Sequence, residues 1–397
     1  MKIGAPRDWN PAIALLSSIL GRLLGLTAAL SVLGPGAAAQ AARPPMSQVR
    51  IERIDSARLG ETREAWVSLP DRYDATTGPY PVLYMMDADF NFNSGVLGGL
   101  RQAALLGEMP DFIAVGIKNT DRSKDIFPEE ITYADGSKDG GRADRYLDFI
   151  RDELIPHVDK KYRTEKYRIL YGTSNTGFTA VYGMLRDRGL ADSYIAASAT
   201  LRVRTFVPKR DQMIRDFKGG PRRLVLVMGE HDFPTIISGN GELKEKIDTL
   251  APEGLCCRLA VIGNGGHVPA DALVEGMRRL FEGWKIVRPL SEKTFAAVRA
   301  QADRRAAEFG VPGRLPEEDL RELGQTLLHD KKDALAVEVL QYLVDTYPRS
   351  ADAWIALGDA HRSLGRRNEA RSCYHKAVEL APGRTEAAAR LKEIEGK

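Results

Sequence analysis

The sequence predicts an α/β fold built on a mostly parallel sheet, followed by a C-terminal region made only of helices. Between about residues 47 and 288, short and nearly continuous apolar runs alternate with helical patterns. This alternation is typical of strands that are covered by helices on both faces. From about residue 317 the chain repeats every 34 residues, which is typical of stacked helical hairpins. A chain of 397 residues with 43% apolar content can form one large and one smaller domain.

The first 41 residues have the pattern of an export signal peptide. Basic residues up to Arg22 precede an apolar stretch from Leu23 to Leu33, and small residues at 37–41 offer cleavage sites. A membrane anchor is the alternative, although Arg22 interrupts the apolar stretch and leaves it too short to span a bilayer. We therefore expect a periplasmic or secreted protein without a stable membrane span. Translation from Met46 would instead make the protein cytoplasmic.

The region 47–288 carries seven candidate strands and three clear helical patterns. Several of the strands are continuous apolar runs, as expected for strands that are buried on both faces. The candidate strands are Arg63–Leu69, Pro81–Met86, Phe112–Ile117, Tyr167–Tyr171, Tyr194–Ala199, Arg223–Met228 and Arg258–Ile262. The candidate helices are Arg142–Tyr162, Gly177–Arg188 and Ala270–Trp284. Their alternation predicts a parallel sheet between two layers of helices.

The rest of the chain is predicted to be helical. Residues 289–316 form a charged, alanine-rich pattern that ends in a glycine-proline turn, which indicates a connecting helix. Within 317–397, large and small residues recur at tetratricopeptide positions. The second repeat shows Trp354, Leu357, Gly358, Ala370, Tyr374, Ala377 and Pro382, and the first shows Leu320, Leu323, Gly324, Ala336, Leu340 and Pro348. Two repeats and a capping helix, Thr385–Glu395, are expected, and such surfaces usually bind a protein or peptide partner.

Composition argues against several classes of function. The formal net charge of +3 is too small to indicate nucleic-acid binding by itself. Cys256 and Cys257 are predicted to lie in a buried strand, and Cys373 is far away, so the three cysteines form no disulfide framework. The histidines show no metal-ligand spacing with acids or cysteines. We expect neither a metal nor a cofactor.

Ser174 is the candidate nucleophile. It lies between an apolar strand that ends near Gly172 and a helical pattern that begins near Gly177. A serine on such a strand-to-helix turn projects its hydroxyl outward, and the N–H group of the next residue, Asn175, can face a developing oxyanion. A second N–H group is expected after the strand that ends at Met86, from Ala88 or Asp89. The alternative there is a paired-carboxylate site formed by Asp87 and Asp89.

His267 and Asp232 are the candidate base and acid. His267 lies in a glycine-rich loop after one apolar strand, and Asp232 follows another. The order serine, aspartate, histidine along the chain is that of α/β-hydrolases. The aspartate would hold the imidazole tautomer and stabilise the imidazolium. Glu230 is the rival acid, and His231 is expected to be a surface or wall residue.

Together these residues resemble the Putative esterase family of α/β-hydrolases, which includes siderophore esterases, S-formylglutathione hydrolases, feruloyl esterases and mycolyltransferases. Besides the serine turn, the resemblance lies in Tyr80–Asp87, Ala114–Ile117 with Asp121–Asp125, Phe149–Pro156, and Gly266-His267 with the helix after it. It covers about residues 48–285. It implies an α/β-hydrolase fold in which Ser174 is the nucleophile, His267 the base and Asp232 the acid.

The sequence departs from the family pattern near the serine. Thr173 stands where the family usually has histidine, and Thr176 stands where it usually has glycine. Aromatic residues that are common in the family after the fifth predicted strand are replaced by Leu201–Arg204.

The basic residues near the predicted site have two interpretations. Arg122 and Asp125 match the family, and their spacing predicts a structural pair in a loop. The alternative interpretation places Arg122 at the rim of the substrate pocket. Arg202 and Arg204 are candidates for the same role, and together the three would favour an anionic substrate.

These observations predict a serine hydrolase that cleaves small-molecule carboxylic esters through an acyl-enzyme. Two alternatives stay open. The hydrolase fold could be an inactive binding module beside the repeats, since Thr176 departs from the family pattern. An acyltransferase would use the same triad but pass the acyl group to an alcohol.

Overall fold

The structure, a computed structural model, describes residues 49–396 apart from 133–134, 187–188 and 288–289. The predicted signal peptide and the two candidate start residues lie outside these residues. No helix in the described part of the chain is long and apolar enough to cross a membrane.

An eight-stranded sheet forms the centre of the α/β region. Its strands are ordered β1-β2-β4-β3-β7-β8-β9-β10, and a separate two-stranded hairpin is formed by β5 and β6. Strands β1 and β2 are antiparallel to their neighbours, and the pairs from β4 through β10 are parallel. The strands are β1 Val49–Ser56, β2 Glu61–Ser68, β3 Tyr80–Met85, β4 Ile113–Ile117, β5 Ile131–Thr132, β6 Lys138–Asp139, β7 Thr164–Thr173, β8 Ser193–Ala197, β9 Arg222–Gly229 and β10 Leu255–Ile262.

Helices connect the strands of the sheet and form the C-terminal region. Those of the α/β region are α1 Ala88–Asn91, α2 Ser94–Leu105, α3 Arg122–Asp125, α4 Ala143–Phe149, α5 Ile155–Lys161, α6 Ser174–Arg186, α7 Val207–Arg215, α8 Pro234–Leu250 and α9 Ala272–Leu280. The C-terminal region contains α10 Glu292–Phe309, α11 Glu317–His329, α12 Asp333–Thr346, α13 Ala351–Ser363, α14 Arg367–Leu380 and α15 Thr385–Glu395.

The seven predicted strands are all present, within three residues at either end. The predicted helix Arg142–Tyr162 is also present, but five π-helical residues, Ile150–Leu154, separate α4 from α5. Pro156 follows this segment and has no N–H group for a normal helical hydrogen bond, which accounts for the widened turn. Strand β1 was not predicted from the sequence. That strand alternates exposed and buried residues at the edge of the sheet, so it forms no continuous apolar run.

Two apolar cores lie on the two faces of the sheet. One core packs the sheet against helices α4 to α8, with Phe149, Phe178 and Leu243 fully buried. The other packs it against α2 and α9, with Leu100 and Met277 at the centre. A mostly parallel sheet between two helical layers is the predicted fold, and the structure confirms it.

A third core holds the helical repeats together. It includes side chains from α10, α11, α12 and α13, with Leu320, Leu340 and Ala360 fully buried. Gly324 and Gly358 let paired helices approach. A Cβ on Gly324 would lie 2.4 Å from the Leu340 side chain, and a Cβ on Gly358 would lie 2.5 Å from the Tyr374 ring. Helices α14 and α15 continue the stack through Ala377 and Ala387.

The prediction that Cys256 and Cys257 are both buried was wrong for Cys256. Cys257 and Cys373 are buried, but Cys256 is exposed. Strand β10 is at the edge of the sheet, and neighbouring side chains on a strand point to opposite faces. Burial raises the pKa of the Cys257 thiol to about 12, so this thiol stays protonated.

Candidate active site

The carboxyl ends of the parallel strands meet at one edge of the sheet, and the predicted site residues lie there. The segments after β3, β7, β8, β9 and β10 all begin at this edge. They carry Asp87, Ser174, Ser198, Asp232 and His267 respectively. Sites in α/β sheets are commonly built from loops at this edge.

Ser174 lies directly at the change from strand to helix. Strand β7 ends at Thr173, and α6 begins at Ser174. Ser174 has a φ of +53°, the left-handed region that non-glycine residues rarely adopt. The turn is tight, because a Cβ on Gly172 would lie 2.2 Å from the carbonyl oxygen of Thr176. The Thr200 N–H group donates to the Ser174 carbonyl over 3.0 Å and ties the turn to the segment after β8.

The structure brings Ser174, His267 and Asp232 together. The Ser174 Oγ is 3.0 Å from His267 Nε2, and His267 Nδ1 is 2.8 Å from Asp232 Oδ1. The Asp232 side chain is fully buried, whereas the His267 side chain is 29% exposed. A buried carboxylate on Nδ1 favours the tautomer with its proton there, which leaves Nε2 free to accept the serine proton.

The two rival acids have different partners. Asp232 Oδ1 also accepts the Phe233 N–H over 2.8 Å, and Oδ2 has no partner among the described residues. Glu230 Oε2 instead accepts the Asn264 N–H over 3.1 Å, at the start of the loop that carries His267. His231 is exposed, and its own N–H donates to the Gly265 carbonyl.

Arg122 is paired with Asp87. Its Nε and Nη2 lie 2.8 and 3.0 Å from the two carboxylate oxygens of Asp87, so the predicted pairing of Arg122 with Asp125 was wrong. Asp125 is buried and binds Arg63 and Arg142 over 2.6 and 2.8 Å. Burial raises the pKa of Asp125 despite these two cations. Spacing along the chain missed the pairing because Asp87 is brought close only by the folding of the sheet.

Thr176 is part of the same group of side chains. Its hydroxyl lies 2.7 Å from Asp87 Oδ2 and accepts the Thr173 N–H over 2.9 Å. Thr173, which replaces the family's histidine, is buried, and its hydroxyl lies 3.3 Å from Asn91 Nδ2. Both departures from the family pattern therefore take part in hydrogen bonds below the serine turn.

The backbone N–H groups of Asn175 and Ala88 belong to the first turns of two helices that begin at this edge. Asn175 is the second residue of α6 and Ala88 the first of α1, and the first N–H groups of a helix have no acceptor within it. Asp87 and Asp89 do not form a paired-carboxylate site. Asp87 binds Arg122, whereas Asp89 Oδ2 accepts the Asn119 N–H over 2.8 Å. No group of three or more potential metal ligands occurs in the described part of the chain.

Arg202 and Arg204 lie on the segment after β8, and both are exposed. Arg202 forms an ion pair with Glu242 of α8, so its charge is matched within the protein. Arg204 is thus the more available of the two cations.

Two site neighbours were missed from the sequence. Phe233 is 59% exposed, and the centroid of its ring lies 4.9 Å from the centroid of the His267 ring. The Phe233 ring thus covers one side of the imidazole. Ser198 is fully buried, and its hydroxyl accepts the Val268 N–H over 2.9 Å, which fixes the His267 loop. The sequence shows that Phe233 is next to Asp232 and that Ser198 follows β8. Their contacts with the His267 loop could not be predicted, because they depend on the conformation of that loop.

A cavity of ≈ 740 Å³ lies elsewhere, between α2, the segment 109–114 and residues 312–318. None of the predicted site residues lines it. Ser174 is half-buried and the His267 side chain is 29% exposed, and neither contributes to this cavity.

Comparisons with known proteins agree with the fold. Residues 56–222 match a family model described as "Putative esterase", and residues 351–384 match one described as "Tetratricopeptide repeat". The esterase match includes Ser174 but ends before Asp232 and His267.

Individual relatives are distant. The chain is 23% identical over 254 residues to the ferri-bacillibactin esterase BesA of Bacillus subtilis, covering 56% of this chain and 85% of the relative. A solved IroE-like serine hydrolase from Shewanella oneidensis superposes with a TM-score of 0.63 at 25% identity, covering 76% of this chain and 99% of the other. The siderophore hydrolase EstA from Aspergillus nidulans shares the fold, with a TM-score of 0.52, 19% identity, and coverage of 64% and 99%.

Proposed function

The α/β domain belongs to the Putative esterase family, and from this premise we propose that the protein cleaves carboxylic esters through a serine acyl-enzyme. The observation that carries the proposal is the unbroken series of two hydrogen bonds from the Ser174 hydroxyl through the His267 ring to the Asp232 carboxylate. A nucleophile, a base and an orienting acid in this arrangement are the requirements of acyl transfer.

In the first half-reaction the Ser174 Oγ attacks the ester carbonyl carbon, and its proton moves to His267 Nε2 over a starting distance of 3.0 Å. The buried Asp232 carboxylate stabilises the imidazolium that forms. The imidazolium then gives this proton to the leaving alkoxide, and the C–O bond of the ester breaks. The acyl group is left on Ser174.

The oxyanion of each tetrahedral intermediate is held by the N–H groups of Asn175 and Ala88. These groups belong to two segments that are already tied together below the serine, because the Met86 N–H donates to the Tyr171 carbonyl over 3.0 Å. Two preorganised N–H donors typically contribute several kcal/mol to the transition state. In the second half-reaction His267 takes a proton from water, and the hydroxide oxygen attacks the acyl carbon. The proton then passes from His267 to the Ser174 Oγ as the bond between this oxygen and the acyl carbon breaks.

The relatives suggest which esters to test first. One relative is named as a ferri-bacillibactin esterase, and one solved neighbour as a siderophore hydrolase. We propose a siderophore ester as the substrate, compared against simple aryl esters and thioesters. Phe233 offers an exposed aromatic surface beside the base, against which an apolar part of the substrate can pack.

The test is replacement of Ser174 by alanine, with Ser238→Ala as the control. Ser238 is a half-buried serine on α8 whose hydroxyl donates only to carbonyl groups of its own helix. We expect Ser174→Ala to lose fluorophosphonate labelling and on the order of 10⁴-fold in hydrolysis rate, and the control to keep both. Near-normal turnover by Ser174→Ala would overturn the proposal. An unlabelled wild-type protein would favour the inactive binding module, and ester products formed with added alcohols would favour an acyltransferase.

We also propose export and a protein or peptide partner. Export rests on the N-terminal sequence pattern, and Edman sequencing of the protein from periplasm and medium should find a start near residue 40. The partner rests on the tetratricopeptide match at 351–384.

A further inference from the structure

The Asp87 carboxylate joins three segments around the proposed nucleophile. Both of its oxygens bind the Arg122 guanidinium, at 2.8 and 3.0 Å, and Oδ2 also lies 2.7 Å from the Thr176 hydroxyl. Arg122 begins the short helix after β4, Thr176 lies two residues after Ser174, and Asp87 lies two residues after the buried end of β3. One carboxylate therefore links the ends of three neighbouring strands.

This carboxylate also fixes the position of a proposed oxyanion donor. Asp87 precedes Ala88, so the peptide group that carries the Ala88 N–H begins at the Asp87 Cα. Asp87 has a φ of +55°, a conformation that costs a non-glycine residue free energy and persists only when its surroundings hold it. Its side chain is 3% exposed, and Arg122 and Thr176 are the groups that hold it.

The charge of Asp87 makes its partner necessary. A buried carboxylate beside a developing oxyanion would raise the energy of the transition state, because the two negative charges repel. The Arg122 guanidinium binds both oxygens in a bidentate arrangement and neutralises that charge. A lysine would supply the same charge without the two-point geometry.

We propose that Arg122 is a positioning residue, which holds Asp87 and through it fixes the position of the Ala88 N–H relative to Ser174. In this proposal Arg122 does not serve as a contact for an anionic substrate. This inference rests on the proposed ester hydrolysis. It also gives Thr176 a role, because a glycine in its place could not bind Asp87 through a side chain.

Arg122→Lys separates the two roles, since it keeps the positive charge and loses the bidentate geometry. Steady-state kinetics are measured with one neutral and one anionic ester of the same alcohol. We expect kcat to fall by about 10-fold or more on both esters, while KM stays within about 2-fold, because the ground state does not use the oxyanion donors. A rise in KM confined to the anionic ester, with kcat kept, would overturn the inference, as would wild-type kinetics on both.

Lys124→Gln is the matched control. Lys124 lies on the same short helix, and its ion pair with Asp121 is largely exposed. We expect this variant to leave both kinetic constants unchanged.

A second pair of variants tests the electrostatic part. Arg122→Gln leaves the Asp87 carboxylate buried without its cation, whereas the double variant Arg122→Gln with Asp87→Asn removes both charges. We expect the double variant to be about 5-fold or more faster than Arg122→Gln alone. A double variant that is no faster would contradict the inference.

Fluorophosphonate labelling keeps this test distinct from that of the proposed function. If Arg122→Lys is labelled at Ser174 but turns over slowly, the nucleophile is intact and positioning is impaired. If Ser174→Ala remains active, the proposed function fails whatever Arg122 does.

Discussion

Asp232 and Glu230 lie two residues apart, but only one of them contacts the proposed base. Asp232 Oδ1 is 2.8 Å from His267 Nδ1, and the carboxylate is fully buried. Glu230 binds the Asn264 N–H, on the surface side of the same loop. Exchange of either carboxylate for its amide tests which of them orients the imidazole.

We expect Asp232→Asn to lower kcat by about 10⁴-fold, because the amide favours the tautomer whose Nε2 carries a proton and cannot accept another. Glu230→Gln should lower it by about 10-fold at most, since the amide oxygen can still accept the Asn264 N–H. Ester hydrolysis by the two purified variants is the measurement. Equal losses in both variants would contradict the assignment of Asp232.

At the scale of single residues, chain order predicted more than spacing did. Ser174, Asp232 and His267 were predicted to lie close together because each follows an apolar strand, and parallel strands bring such positions to one edge. The partner of Arg122 was predicted wrongly because an ion pair depends on which strands are neighbours. Strands β3 and β4 are adjacent in the sheet, and this places Asp87 beside Arg122.

The loop that carries His267 is held by its contacts with the end of β9. A Cβ on Gly229 would lie 2.2 Å from the carbonyl oxygens of both Gly265 and Gly266. Real Cβ atoms do not approach backbone oxygens so closely, so this glycine is required for the loop to reach its position. By contrast, a Cβ on Gly266 would have no neighbour within 4 Å.

Gly229→Ala should therefore displace the loop and separate His267 from Ser174, whereas Gly266→Ala should be tolerated. We expect kcat to fall by about 10²-fold or more in the first variant, because a small displacement of a catalytic group has an effect of this size. Kinetics and thermal unfolding of both variants are the measurements. An active Gly229→Ala protein would show that the loop can move without loss of function.

Strand β1 is fastened to α5 by a carboxylate. Glu52 accepts hydrogen bonds from the Lys161 ammonium and the Tyr162 hydroxyl, and it lies 2.9 Å from His157 Nε2. Burial raises the pKa of Glu52, but these hydrogen bonds outweigh it and lower the pKa from 4.5 to about 2. The stabilisation is therefore complete above about pH 4.5 and is lost as the pH falls toward 2.

We expect the free energy of unfolding of the wild type to decrease between pH 4.5 and about 2 more steeply than that of Glu52→Gln. Urea unfolding at several pH values measures the difference. Glu253→Gln, at an exposed position before β10, should keep the slope of the wild type. Identical slopes in the wild type and Glu52→Gln would contradict the role of this carboxylate.

At the scale of elements, strands that are buried on both faces could be predicted, and edge elements could not. Strand β3 is buried at every position, so its sequence is one apolar run. Strand β1 carries charged residues between its buried ones, which resembles the sequence of many loops. The antiparallel start of the sheet was missed for this reason.

Helix α10 contributes to two cores. At its C-terminal end Phe309 packs against Phe281 and Trp284 in the α/β region, with ring centroids 5.3 and 5.8 Å away. Toward its N-terminal end Phe295 packs against Tyr342 of the first repeat, at 5.8 Å. The segment predicted as a connector is thus part of both hydrophobic interiors.

Phe309→Ala should lower the temperature at which esterase activity is lost, because the cavity it leaves costs about 3 kcal/mol or more. Phe295→Ala on the same helix should destabilise the repeats and leave that temperature nearly unchanged. Residual activity after heat pulses, together with circular dichroism, distinguishes the two. Equal losses of heat resistance would show that the two cores unfold together.

At the scale of the whole molecule, the order of the α/β region and the helical repeats could be predicted from the sequence. The contacts that attach the repeats to the α/β region could not. The repeats were recognised because large and small residues recur at fixed positions. Their attachment depends on single contacts across the chain, such as the hydrogen bond from the Arg349 N–H to the Ala75 carbonyl and the ion pair of Arg72 with Glu317. No repeat pattern in the sequence predicts single contacts between distant residues of this kind.

The double role of α10 also limits how the two regions can be separated. A shortened enzyme that stopped near Leu290 would expose Trp284 and Phe281 to water, because Phe309 and Val311 belong to the same apolar cluster. The shortest fragment that keeps this side of the sheet covered therefore runs through Val311. Repeats grafted onto another enzyme would likewise carry a piece of this enzyme's interior with them, so the two regions are not interchangeable modules.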